Sequence, residues 1–280
     1  MKFYDAHIHF FPQSTSDDIR RIFAFLEGIG LAGFDALVFT EYPHEIATVL
    51  KMIPGGYHKQ INRKTLNKRT NPFVLLDQSA NLKIIPYLDT RFIENDIEQK
   101  IKAYHDIGVK GLKLLYVPEE DEVYKITGMQ EAFGRTVKQS ERITSILIES
   151  AASYGMTVLF HVDLRKYGEF AAQMLATYPR TNFNIAHFGF SRKAVADLLD
   201  KYPNCYTDIS SLRPFMNEDG NSYLNFIKQY QNRILFGSDA MIDRPLEVHN
   251  NMQFIIDFLH DQRLAEKIFC SNYLVFHEET

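Results

Sequence analysis

Apolar and polar positions follow two alternating rhythms along this chain of 280 residues. Short apolar runs of strand length occupy residues 3–9, 36–40, 83–88, 109–117, 156–162, 183–188, 204–209 and 233–236. Between them the apolar residues recur at helical spacing. Residues 17–31 carry Ile19, Ile22, Phe23, Phe25 and Leu26, with Ser16 or Asp17 as N-cap and Gly28 and Gly30 near the end. Residues 94–105, 141–154, 168–178, 192–202 and 245–260 read as further amphipathic helices. Pro86 interrupts the third strand run, where it donates no ladder hydrogen bond. Near-continuous apolar strands separated by helices predict an α/β protein whose parallel sheet is covered by helices. Eight such units predict closure into one (β/α)8 barrel, a single domain over residues 1–280.

Two stretches break the rhythm. Residues 54–72 are basic, with Gly55, Gly56 and several Lys, Arg and Asn; residues 117–140 begin acidic and stay irregular. Both adjoin strand–helix connections, where barrels carry lids and binding loops. A solvated insertion fits either stretch equally well.

Composition narrows the class. A chain of this length buries roughly three quarters of its extended surface and needs no disulfide or structural metal to fold. Hydrophobic content of 45% and charged content of 24% are ordinary for a globular protein. A net charge of −4 gives no electrostatic reason for nucleic acid or an anionic membrane as partner. Cys205 and Cys270 form no disulfide framework, and neither a signal-peptide pattern nor a membrane-length apolar run is visible. A cytoplasmic location and a small-molecule substrate are expected, with homo-oligomer formation left open.

Candidate chemistry collects at the ends of the strand runs. Phe3-Tyr4-Asp5-Ala6-His7-Ile8-His9 puts His7 and His9 on one strand face, with Tyr4, Ala6 and Ile8 on the other. Run four carries Lys113, run five ends in His161, run six in His187, and run eight leads into Gly237-Ser238-Asp239. In a barrel the C-terminal strand ends converge on one face, where active sites sit. Each of these side chains alone reads as structural. Four histidines and an aspartate at the same register point instead to a transition-metal site.

In these motifs (Asp5-Ala6-His7-Ile8-His9, His161, His187 and Gly237-Ser238-Asp239) the chain resembles the amidohydrolase superfamily over essentially its whole length. The closest likeness is to its amidohydrolase-related branch of lactone hydrolases and non-oxidative decarboxylases. That resemblance implies a barrel with a divalent ion, zinc first and manganese second, one ion favoured over two. It implies His7, His9, His161 and Asp239 as ligands. His187 is then a catalytic acid/base or the ligand of a second ion, and Asp239 doubles as proton carrier. Lys113 has three readings. It is a clamp for a substrate carboxylate, a carboxylated bridge between two ions, or a buried lysine paired with an acid such as Asp89 or Glu41, since an isolated buried ammonium is very costly.

Such an ion lowers the pKa of bound water towards about 7 and polarises a carbonyl. Hydrolysis of a lactone, amide or ester of a small carboxylated substrate is the leading expectation. Metal-dependent decarboxylation comes second, and a non-catalytic barrel with a binding role third. Asp208, Asp163 and Asp89 are candidates to orient imidazoles, though aspartate's frequency in turns favours a cap or turn role for each. Asp5 reads as a hydrogen-bonded structural residue. His44, His58, His105, His249, His260 and His277 have no partner at ligand spacing, and Arg192 offers a possible contact for an anionic substrate.

Overall fold

In the computed structural model, which describes residues 2–11, 16–43, 45–61, 71–79 and 81–278, the first apolar run forms β1 (Phe3–Phe10). Beside it runs β2 (Leu31–Phe39), in parallel. The series continues through β3 (Lys83–Asp89), β4 (Gly111–Tyr116), β5 (Thr157–Val162), β6 (Phe183–Ile185) and β7 (Cys205–Asp208), each parallel to its predecessor. The eighth run is split into β8 (Ile234–Leu235) and β9 (Ala240–Met241). Its first piece pairs with β7 and its second with β1. Ala6 N–H donates to Phe236 O (2.8 Å) and Asp239 N–H to His7 O (2.8 Å), so one segment bonds both edges of the sheet and closes the ring. The fold is an α/β TIM barrel.

Several boundaries differ from the sequence reading. The first helix is Ser16–Gly28 and stops before Leu31, whose apolar side chain begins β2. The later helices Val137–Ser153 and Leu164–Thr177 start earlier than their apolar periodicity suggested, because capping residues open them: Thr136 with Gln139 in a capping box, and Asp163. Strand β6 is three residues long, after which residues Ala186–Phe190 turn. Residues 54–72 contain two 3-10 segments, Gly55–Gln60 and Pro72–Gln78; residues 62–70 and His44 lie outside the described residues. Residues 117–140 contain the short helix Met129–Phe133 and an isolated bridge between Asp121 and Ile126.

Strict alternation fails on β1. The register shifts between Asp5 and Ile8, so Tyr4 and Ala6 pack into one cluster and Ile8 joins Phe3 and Phe10 in another. The first of these clusters gathers Leu37, Tyr87, Leu159, Tyr206 and Leu235 from the surrounding strands, together with Tyr273 and Phe276 of the C-terminal helix Asn272–Phe276. Asp35, midway along β2, accepts from Tyr273 Oη (2.7 Å) and pairs with His277 Nε2 (3.0 Å). Asn272 Nδ2 donates to Gln231 O (2.8 Å) before β8, and Phe276 O accepts from Asn182 Nδ2 (2.8 Å) before β6. The chain's last helix therefore packs at the N-terminal end of the strands, leaving the C-terminal ends to form a cavity. The larger cluster, from Phe3 through Phe269, fills the layer between strands and helices.

Candidate metal centre

Strand β1 delivers two imidazoles side by side, their rings 5.3 Å apart. The His9 Nε2 lies 3.0 Å and the His7 Nε2 3.2 Å from the same oxygen, Asp239 Oδ1. Asp239 reaches them because the eighth strand breaks at Gly237, where an added Cβ would come within 2.9 Å of His7 Cβ. Asp239 itself has φ +56°, a left-handed conformation that costs a non-glycine residue energy and clusters at functional sites. The same holds for His187 (φ 55°) and Ser211 (φ 56°).

His7, His187 and Asp239 are held from behind. His7 Nδ1–H donates to Asp208 Oδ2 at 3.0 Å, which leaves the Nε2 lone pair facing Asp239. Asp208 also accepts from Asn184 Nδ2, from the backbone N–H of His187 and Ser210, and from the Ser210 hydroxyl. The Ser210 oxygens in turn lie 2.8 Å (Oγ) and 3.2 Å (carbonyl) from His187 Nδ1. With Nδ1 donating there, His187 keeps a lone pair on Nε2. Ser211 Oγ donates to Asp239 Oδ2 at 2.7 Å, so the two Asp239 oxygens have separate tasks. Asp208 thus orients imidazoles where a turn role had been favoured. Asp163 does cap a helix and pairs with Arg165, and Asp89 is held by the Arg91 guanidinium at 2.5 Å.

Electrostatics prepares the donors. Burial pushes His7 down to about 3, with the neighbouring Lys113 adding to the effect, and pushes His161 down to about 4. Burial also lowers His9. All three rings are neutral at pH 7, the state in which an imidazole binds a metal. Burial alone would raise Asp208 and Asp239, but the hydrogen bonds and nearby histidines outweigh it and keep both carboxylates ionised. Asp5 differs. It accepts from the backbone N–H of His7 and Ser238 through Oδ1, while Oδ2 is buried without a partner and burial pushes the carboxyl up to about 7.

Lys113 reaches the cluster from β4, 1% exposed, with Nζ 3.2 Å from His7 Nε2. Burial lowers it to about 8. Of the two acids named as its structural partner, Asp89 stands beside it in the β3–β4 register and acts on its charge. The Asp89 carboxylate is also held by Arg91, and Glu41 by Lys100 (3.2 Å) and Tyr104 (2.8 Å).

His161 lies at 5.2 Å, ring to ring, from His187, and its Nε2 donates to Asp121 Oδ2 at 3.1 Å. It joins neither set of donors that converge within 4.8 Å, which are His7, His9 and Asp239, and His7, His187 and Asp208. Tyr124, three residues beyond Asp121, places its ring 5.0 Å from His187 and 5.8 Å from His161. Asp121 and Tyr124 were not singled out from the sequence. Asp121 is one of four consecutive acids, and nothing in that run says which turns inward.

His9, Lys113, His161, His187, Ser211 and Asp239 line a cavity of about 150 Å³. Phe11, Phe39, Ile53, Tyr57, Ile126 and Met241 give the same cavity its apolar lining. Arg192 lies outside it, bonded to Ser222 and Asp219 and stacked on Tyr223 at 3.9 Å, in an adjoining hollow beyond Tyr124 and His187. The donors fit a divalent ion. Two neutral imidazole nitrogens and an ionised carboxylate oxygen meet at one point, with His7 held from behind by Asp208 and Asp239 by Ser211, the pattern of built transition-metal sites.

A TIM barrel with this donor set at its C-terminal strand ends has the fold of the metal-dependent hydrolases. The amidohydrolase family model matches residues 4–272, and the chain belongs to that family. Its fold is similar to that of YJJV, a TatD homologue from Escherichia coli, at 10% identity and a TM-score of 0.62, covering 99% of this chain and 98% of the other. It is likewise similar to an amidohydrolase from Burkholderia multivorans with bound zinc (13% identity, TM-score 0.53, 100% of both chains). A third likeness is to the phosphotriesterase homology protein of Escherichia coli, complexed with phosphate in its active site (11%, 0.59, 99% and 98%). No curated protein matches the chain. Among the described residues no helix is long and apolar enough to cross a membrane.

Proposed function

We propose that the protein is a metal-dependent hydrolase of a carbonyl-centred bond, a lactone, amide or ester, in a small carboxylated substrate. The observation that carries this reading is the meeting of His7 Nε2 and His9 Nε2 on Asp239 Oδ1, beside a largely apolar cavity. A divalent ion there, zinc first and manganese second, supplies Lewis acidity that acidifies water and polarises a carbonyl. Asp239, with Oδ2 fixed by Ser211, accepts the proton of the attacking water and returns it to the leaving group. His187, bound through Nδ1, offers Nε2 as ligand or proton acceptor. His161 completes the far side of the site. Lys113, inside the cluster and only 3.2 Å from a donor nitrogen, serves at the metal rather than at a distant end of the substrate. The cavity is about the size that accepts one benzene ring, and the buried Arg91 in its wall favours an acid.

Elemental analysis of protein purified without chelator tests the metal. Stoichiometric zinc or manganese is the expected result, and no uptake of any divalent ion overturns the reading. A screen of lactones, amides, esters and carboxylated aromatics on the loaded protein then tests the reaction. Release of carbon dioxide without hydrolysis would replace it by decarboxylation.

A further inference from the structure

Asp121 comes from the loop after β4 and is the partner of His161 that neither sequence nor family motif pointed to. We propose that Asp121 is a positioning residue of the metal centre: by holding the Nε2 proton of His161 it makes Nδ1 the nitrogen that binds the ion. The inference rests on the metal-dependent reading above and assigns the ligating atom within it.

The geometry supports the assignment from two sides. The Asp121 carboxylate divides its oxygens. Oδ1 accepts from the backbone N–H of Val123 (2.9 Å) and Tyr124 (3.0 Å), while Oδ2 accepts from His161 Nε2 (3.1 Å). A carboxylate has no proton to give, so Nε2 carries the hydrogen and Nδ1 the lone pair. The His161 ring also stands between two hollows. The main cavity holds Lys113, His187 and Asp239, and a much smaller one on the other side holds Asp121, Asp163 and Tyr167. With Nε2 committed on the Asp121 side, Nδ1 is the nitrogen left for the main cavity, where His187 and Lys113 are its neighbours. Both members of the pair are shielded from water, with side chains 5% and 9% exposed. A carboxylate behind a metal-bound imidazole fixes its tautomer and raises its basicity, and loss of such a partner costs 10–100-fold in metal affinity.

Asp121→Asn separates this role from a structural one. The amide oxygen still accepts the two turn N–H groups, so the loop keeps its shape. The amide nitrogen then faces Nε2 and forces the proton onto Nδ1, where it blocks the ion. Zinc affinity, measured by competition with a chelator, should fall roughly 10–100-fold in Asp121→Asn. The melting temperature of the metal-free variant should match that of the wild type. In cadmium-113-loaded wild type with nitrogen-15 histidine, His161 should show metal coupling at Nδ1 and a proton on Nε2. Wild-type zinc affinity in Asp121→Asn, or cadmium coupling at Nε2, overturns the proposal and leaves the hydrolase reading standing. A wild type that takes up no divalent ion overturns both.

Discussion

Asp208 Oδ2 lies 3.0 Å from His7 Nδ1, a contact between residues 201 positions apart that decides which His7 nitrogen is free. Both groups are fully buried. Asp208→Ala would remove the acceptor for Nδ1–H and for four neighbouring backbone and side-chain donors. Metal affinity is expected to fall 10–100-fold. The metal-free protein should also lose roughly 1–3 kcal/mol for each donor left buried and unpaired. Chelator competition and chemical denaturation read the two effects separately.

Ser211→Ala removes the hydrogen bond to Asp239 Oδ2 at 2.7 Å. A bond to a charged group contributes roughly 1.5–3 kcal/mol. If it aims the proton carrier during turnover, kcat should drop by about 10–100-fold with KM little changed. A change confined to KM would place Ser211 in substrate binding instead.

Lys113→Met tests where the ammonium acts. Its place 3.2 Å from His7 Nε2 predicts loss of bound metal together with kcat. Unchanged metal content with a strongly raised KM would make it a clamp for the substrate carboxylate. Metal analysis beside steady-state kinetics decides.

The metal-free protein should weaken as pH falls from about 6.5 to about 4. His7 and His161 titrate near 6.5 when unfolded and at about 3 and about 4 when folded. Across that window the unfolded chain binds more protons, so stability is present above the unfolded value and is lost on acidification. His9 acts in the same direction. Asp5, raised to about 7, acts oppositely, adding stability as pH falls towards its ordinary value. Three histidines outweigh one aspartate. Melting temperatures at pH 7 and pH 5 in the presence of chelator check the sign, and a higher value at pH 5 refutes it.

Much of this arrangement is legible in the sequence because parallel barrel strands are buried on both faces and show as unbroken apolar runs. His7, His9, His187 and Asp239 stand out because they end or closely follow such runs. What escapes is set by tertiary geometry. The left-handed turn at His187 and the split of the eighth strand are signalled only by Gly189 and Gly237, which glycine's many other uses obscure. Asp208 lies where an aspartate ordinarily makes a turn, and only the fold brings it against His7. Leu31 fits a helix end as well as a strand start until β1 pairs with it.

The broken eighth strand has a consequence for the order in which the molecule is made. His9 and Asp239 are 230 residues apart, and the hydrogen bonds that bring them together are the same ones that join the two edges of the sheet. A nascent chain lacking its last fifth has His7 and His9 but not the carboxylate on which both converge, so this set of donors is complete only when the ring shuts. Contacts of such long range form late and slowly. An ion held by these donors would tie the first strand to the last, and release of either end would require its departure. Metal occupancy of this set would thus report on completed synthesis.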